Sequence, residues 1–248
     1  WIDLVLPSGE LQRCSREENE DLFNWTIGGM GLTGIICRCS IQLRPVESGW
    51  ISQAVVVNRD LESTLASFEE HKSSTYSVAW IDCLARRGSL GRSVLMLGEH
   101  ASGNCTPSPG QALFPTSRRR FFKLPCDFPS SLLNNKTIRI FNSLYYNSSK
   151  RSKASRVTWD SFFYPLDSIG SWNRLYGRKG FFQIQCVLPA SVSLEGYKEI
   201  IEHIQNLSSG SFLGVLKKLG GARRALSFPM EGYTLALDFK ATSKNRAA

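Results

Sequence analysis

Residues 180–206, GFFQIQCVLPASVSLEGYKEIIEHIQN, read as a strand followed at once by a helix. Gly180 to Leu188 is an aromatic and aliphatic run of strand length. From about Leu194 to Asn206, Tyr197, Ile200, Ile201 and Ile204 recur at helical spacing and mark one apolar side. Gln183 and Gln185 are two residues apart in the strand, so their side chains point the same way.

Working outward, the same alternation recurs. Strands are expected at 1–6, near 11–13, at 35–43, 50–57, 76–82, 93–97, 211–219 and 234–239. Helices are expected from Glu17 through Trp25, where acidic residues suit the dipole of the first turn, and from Leu61 to His71, with Leu65 and Phe68. Runs of strands with single helices between them point to an α+β fold: an antiparallel sheet with helices on one face. Residues 99–120 and 140–158 are expected to be mobile loops, and 125–158 as a whole carries no clear period.

The chain has 248 residues, 42% of them hydrophobic, which is enough for a real core and against global disorder. No apolar run approaches 18 residues, so no transmembrane segment is expected; no signal peptide is visible, and any leader would lie upstream of Trp1. Seven cysteines, with no C-x-x-C pair and three scattered histidines, argue against zinc and are read as reduced thiols. The net charge of +9 gathers in Arg118–Arg120, Lys150–Lys153 and Arg223–Arg224. A solvated basic face explains it, as does attraction to an anionic surface.

Gly28, Gly29, Gly31 and Gly34 lie between the first helix and the strand that begins at Ile35. Four glycines in seven residues permit a tight turn or close backbone approach to a bound group. The order is wrong for a dinucleotide fingerprint, which leads from strand to helix, and no Lys-Ser or Lys-Thr follows as in a phosphate-binding loop.

The segments Asp21-Leu22-Phe23, Gly28–Ile36 and Leu43-Arg44-Pro45 together resemble the closing part of the FAD domain of vanillyl-alcohol-oxidase-type flavoenzymes. Phe162–Asp167, Trp172–Gly177, Gly180–Gln185, Ser211–Lys217 and Leu226–Pro229 narrow the resemblance to the branch that oxidises decaprenylphosphoryl ribose, across Trp1 to about Phe239. The resemblance implies that Gly28, Gly29, Gly31, Gly34 and Ile36 line the cofactor, with the Ile36 backbone at the adenine. It implies a substrate pocket of Val78, Trp80, Phe163, Leu166, Gln183, Gln185, Val215, Lys217, Thr234 and Ala236. Gln183 and Gln185 would bind sugar hydroxyls, Lys217 a phosphate, and Trp80 and Phe163 would form apolar walls. Without the family, each has a plainer reading: surface polarity for the glutamines, core for Trp80, an edge charge for Lys217, and an ion pair with Asp167 for Arg174.

The implied activity is FAD-dependent oxidation of the 2-hydroxyl of a polyprenylphosphoryl ribose to a ketone, in bacterial cell-wall arabinan precursor synthesis. The implied setting is cytoplasmic or membrane-peripheral, with anionic lipid and an NAD-dependent reductase as partners and no nucleic acid. Alternatives are an FAD-linked oxidase of another polyol or aldonolactone, and a non-catalytic basic binding module. Residues 1–46 would be the end of an FAD domain and 47–248 the substrate domain. The family's pyrophosphate loop and active-site lysine have no counterpart, and Ala236 stands where some members place cysteine, so no catalytic residue is assigned. The chain alone is expected to be inactive.

Overall fold

The computed structural model describes residues 1–104, 110–116, 122–129, 132–152, 154–206, 210–221 and 227–242. Of the basic clusters, 118–120, 153 and 223–224 lie outside these residues, as do parts of the 99–120 and 226–229 segments.

The chain divides into two compact units. The first comprises Trp1–Pro45 with Leu219–Gly232. Its sheet has the order β2-β1-β3, with β1 (Ile2–Val5) paired antiparallel to β2 (Leu11–Cys14) and to β3 (Ile35–Cys39). A turn at Gly9 joins β1 to β2, and Leu6 N donates to Glu10 O at 2.9 Å to close it. Helix α1 (Glu20–Thr26) follows with Glu20 and Asp21 in its first turn. Ile2, Leu4 and Cys14 form a small core, with Leu6, Leu22 and Phe23 against it. Strand β3 ends at Cys39, four residues before the expected Leu43, and residues 40–45 carry no regular structure.

The second unit comprises Val46–Lys218 and the chain from Tyr233 on. Its elements are β4 (Trp50–Asn58), α2 (Leu61–Glu70), β5 (Tyr76–Ile81), β6 (Ser93–His100), β7 (Phe122–Lys123), α3 (Asn135–Ser149), β8 (Ser155–Thr158), α4 (Trp159–Phe163), β9 (Ile169–Gly170), β10 (Phe181–Pro189), α5 (Ser193–Asn206), β11 (Leu213–Leu219) and β12 (Gly232–Lys240). Seven strands form one sheet in the order β10-β12-β11-β5-β6-β4-β8. The β11–β5, β5–β6, β6–β4 and β4–β8 pairs are antiparallel.

One face of this sheet holds the main core. Leu61 and Phe68 of α2 and Tyr197, Ile201 and Ile204 of α5 pack on Ala79, Ile81, Leu95, Leu97, Leu216, Leu235 and Leu237. Tyr197 and Ile201 are completely buried, and each such side chain contributes about 1.5–3 kcal/mol relative to exposure. Helix α2 opens on a capping box: Asp60 accepts from Ser63 N at 2.8 Å, and Ser63 Oγ accepts from Asp60 N at 3.2 Å.

Helices are not confined to that face. Residues 135–149, expected to fall within an unpatterned and partly mobile stretch, form α3 on the opposite side, where Tyr146 packs with Trp80 and Val94. Its buried positions are Ile138, Asn142, Tyr146 and Ser149, two of them polar, so its buried face is not marked by apolar residues alone. Asn142 Nδ2 donates to Asp82 Oδ1 at 2.7 Å, while its Oδ1 is buried without a hydrogen-bond partner among the described residues.

Candidate functional site

In the second unit, strand alternation sorts the candidate residues. In β5, β11 and β12, residues Ala79, Ile81, Leu216, Tyr233, Leu235 and Leu237 face the main core. Their alternates Val78, Trp80, Val215, Lys217, Thr234 and Ala236 therefore share the other face. In β10, Phe182, Cys186 and Leu188 pack toward the main core, which turns Gln183 and Gln185 to the same face as those alternates. Eight of the ten expected pocket residues are thus brought onto one face of four adjoining strands.

Register tightens the arrangement. Val215 pairs with Trp80 across β11 and β5, and Lys217 follows on the same side toward the Val78 end. Lys217 is exposed, whereas Lys218 turns to the other face, where Glu69 accepts from its ammonium at 2.6 Å. No ion pair to Lys217 occurs among the described residues. Trp80 is only 6% exposed and meets Tyr145 of α3 edge-on at 4.8 Å, so it supports the face from within rather than forming an open wall.

Phe163 ends α4 and sets its ring edge-on to Tyr76 at 4.9 Å, two residues before Val78 on the same side of β5. Phe162 lies against Gly98 so closely that a Cβ there would overlap its ring. Leu166 stands in the next turn, Pro165–Ser168, half-buried. Arg174 does not pair with Asp167: its guanidinium donates to Leu124 O and Pro125 O, each at 2.7 Å, and so pins that segment.

Asp238 was not anticipated. It is 2% exposed and lies on the same side of β12 as Thr234 and Ala236. Gln183 Nε2 donates to its Oδ1 at 2.7 Å and Tyr176 OH to its Oδ2 at 3.3 Å. Burial pushes its carboxyl above the ordinary carboxylate range, against these two hydrogen bonds, which favour the charged form. Tyr176 is raised too, chiefly by burial and then by the neighbouring Asp238. The signal was present in TLALDFK: an acid at even spacing from Thr234 and Ala236 in an otherwise apolar strand. Gln185 is held in parallel fashion, its Nε2 donating to Thr234 Oγ1 at 3.0 Å.

In the first unit, the glycine loop mostly explains itself. A Cβ at Gly29 would overlap Trp25 O, one at Gly34 would overlap Val5 O, and one at Gly28 would lie 2.7 Å from Ser227 Oγ. Gly31 differs: it has φ +77° and nothing within 4 Å of its Cβ position. Met30, Leu32, Ile35 and Ile36 around it are exposed. An open backbone at Gly31 beside exposed apolar side chains fits close approach by a flat aromatic group such as the adenine of FAD. The other three glycines are accounted for by the loop's own packing.

Among the described residues, no group of three or more His, Cys, Asp or Glu is placed to hold a metal ion. No described helix is long and apolar enough to cross a membrane. Cys37 and Cys39 are free and exposed, and Cys14, Cys83, Cys126 and Cys186 are also unpaired.

No protein-family model matches the chain. Over 245 residues it is 35% identical to decaprenylphosphoryl-β-D-ribose oxidase of Mycolicibacterium smegmatis, which covers 96% of the chain and 53% of that enzyme. The chain is thus similar along nearly its whole length to an oxidase and over a shorter stretch to a cytokinin dehydrogenase. An uncharacterized protein from the mprA 5′ region of Streptomyces coelicolor is 24% identical over 258 residues, covering 100% of the chain and 69% of that protein. Cytokinin dehydrogenase 5 of Arabidopsis thaliana is 50% identical over 44 residues, which is 18% of the chain and 8% of the plant enzyme. The chain spans about half the length of the mycobacterial relative.

Proposed function

We propose that the protein is an FAD-linked oxidoreductase whose second unit is a substrate domain of the vanillyl-alcohol-oxidase type, and that it acts on the 2-hydroxyl of a polyprenylphosphoryl ribose. The observation that carries this reading is the gathering of Gln183, Gln185, Thr234, Val215, Val78 and Lys217 on one sheet face. Two amides suit a polyhydroxylated ring, and a single unpaired ammonium suits a phosphate monoanion or diester. Bound FAD would supply the hydride acceptor, and the first unit offers Gly31 and Ile36 for its adenine end. The chain's own residues bind and orient the sugar; alcohol oxidation also needs a group to take the hydroxyl proton, and none is assigned here.

The reading extends to a bacterial cytoplasmic or membrane-peripheral setting, with an anionic lipid surface, a polyprenyl-phosphate substrate and an NAD-dependent reductase as partners. It is supported by the relative's name and by the basic balance of the chain.

Calorimetric titration with farnesylphosphoryl-β-D-ribose tests it. The chain should bind this ligand, and Lys217→Met should weaken binding by about tenfold, the equivalent of ~1.4 kcal/mol. Absence of binding, or equal binding by both proteins, contradicts the reading. A second reading, oxidation of another polyol or an aldonolactone, is favoured only by the two glutamines, which recognise hydroxyls without requiring a phosphate. It predicts binding of phosphate-free polyols with equal affinity.

A further inference from the structure

The sheet face contains a polarity that follows from its hydrogen bonds. Thr234 Oγ1 donates to Cys186 O at 2.9 Å, and a carbonyl can only accept, so the hydroxyl proton is committed there. What Thr234 offers Gln185 is then a lone pair, and Gln185 must meet it with its amide nitrogen. The Gln185 carbonyl oxygen is thereby turned away from Thr234. Two residues earlier on the same strand, Gln183 gives its amide nitrogen to Asp238 Oδ1, whose other oxygen is occupied by Tyr176. The Gln183 carbonyl is likewise turned away. Both glutamines are exposed while Thr234 and Asp238 are each 2% exposed. The anchors are buried and the anchored groups face solvent.

We propose that Asp238 and Thr234 are positioning residues that fix both amides with their carbonyl oxygens outward, making this face a two-acceptor site for a pair of adjacent hydroxyl groups. The substrate class named under the proposed function supplies such a pair in its ribose ring, and the inference rests on that reading for the identity of the ligand. Alternate residues of a strand stand roughly 6.5–7 Å apart. A vicinal diol donating one bond of about 2.7–2.8 Å to each side spans that separation. Two outward carbonyls repel an anion, so a phosphate is disfavoured at this pair even though each amide keeps a second N–H. It is left to Lys217, on the same face two strands away. The arrangement therefore fixes which end of a sugar phosphate lies over β10. An amide free to rotate would accept a hydroxyl or donate to a phosphate equally well and would not distinguish the two orientations.

The test reads the amides directly and the ligand separately. In ¹⁵N-labelled protein, the side-chain NH₂ groups of Gln183 and Gln185 should show through-space contacts to the Asp238 and Thr234 side chains, with slowed exchange of the bonded proton. Thr234→Val should release Gln185 alone, Thr234→Ser should restore it, and Asp238→Asn should perturb Gln183 alone. Amides that exchange freely and show no such contacts in the unmutated protein overturn the proposal, whatever the variants do. With farnesylphosphoryl-β-D-ribose as ligand, the 2-deoxy analogue should bind about tenfold more weakly. Thr234→Val should reduce that preference to about twofold, with Thr234→Ser recovering it. Binding of both ligands with equal affinity to a protein whose amides are locked overturns the diol assignment. Locked amides with no binding of either ligand leave the orientation standing and instead contradict the proposed substrate.

Discussion

Arg92 Nη2 lies 2.8 Å from Asp82 Oδ2 beside the middle of α3, in a pair whose acid is 2% exposed. The other oxygen, Oδ1, accepts from Asn142 Nδ2 at 2.7 Å and from Leu84 N at 3.0 Å, and Arg92 also donates to Ser143 Oγ at 3.1 Å. One carboxylate therefore joins the end of β5, the approach to β6 and a whole turn of α3. Removing one partner of such a pair leaves a buried charge uncompensated, at a cost of about 3–5 kcal/mol. Asp82→Ala should lower the stability of the second unit by that amount in denaturant titration. A loss below ~1 kcal/mol would show that α3 is held mainly by Tyr146 and Ile138.

The same helix shows how far the sequence could be read. The core strands and α2 and α5 were legible because their apolar residues alternate or recur at helical spacing, as at Leu61, Leu65 and Phe68 or Tyr197, Ile201 and Ile204. Helix α3 was missed although Ile138, Phe141 and Tyr145 recur at helical spacing, and its buried face was hidden because Asn142 and Ser149 occupy core-facing positions while Ile140, Phe141 and Leu144 are exposed. Its start was locally encoded all the same: Asn134 Oδ1 accepts from Lys136 N and Thr137 N, and Thr137 Oγ1 accepts from Asn134 N. For the site, residue spacing put Gln183 with Gln185 and the family resemblance supplied the rest. The two partners that hold these amides, Asp238 and Thr234, depend on the register of β10 against β12, which no local pattern reports.

Asp238 makes stability depend on pH in an unusual direction. Its folded pKa is raised by burial, so between the unfolded carboxylate value of about 3.9 and the raised folded value the native chain holds a proton that the unfolded chain has lost. Stability from this group is therefore present below the unfolded value and falls as pH rises toward the folded one. Denaturant titrations at a series of pH values should show that fall, and Asp238→Asn should flatten it. An unchanged slope in the variant would contradict it.

Asp3 has the opposite sign. The Arg13 guanidinium bonded to it at 2.8 Å, with Arg38 at 2.9 Å, holds its carboxyl below the ordinary range. Its contribution is present above the unfolded value and is lost as pH falls through the lowered folded one. Acidification should loosen β1 from β2 and β3, detected as lower protection of the Leu4 and Arg13 amides relative to their intrinsic exchange rates at each pH. In Asp3→Asn that protection should already be low at neutral pH and change little with acid.

Gly98 tests the cover of the face. Phe162 occupies the space where its Cβ would be, so Gly98→Val must displace the ring and α4 with it. Overpacking of this kind costs about 1–3 kcal/mol. Thermal unfolding should register it, along with loss of the ring-current shift that Phe163 imposes on Tyr76. Unaltered Tyr76 resonances would mean that α4 is not seated through Phe162.

The account stands on the sheet face formed by Gln183, Gln185, Thr234, Val215, Val78 and Lys217 being the ligand site. Mapping amide and methyl shifts during titration with farnesylphosphoryl-β-D-ribose examines that directly. The predicted result is a set of saturable changes at Val78, Gln183, Gln185, Val215, Lys217 and Thr234, with α2 and α5 on the opposite face unmoved. Changes centred on α2 and α5, or none at saturating ligand, would contradict it.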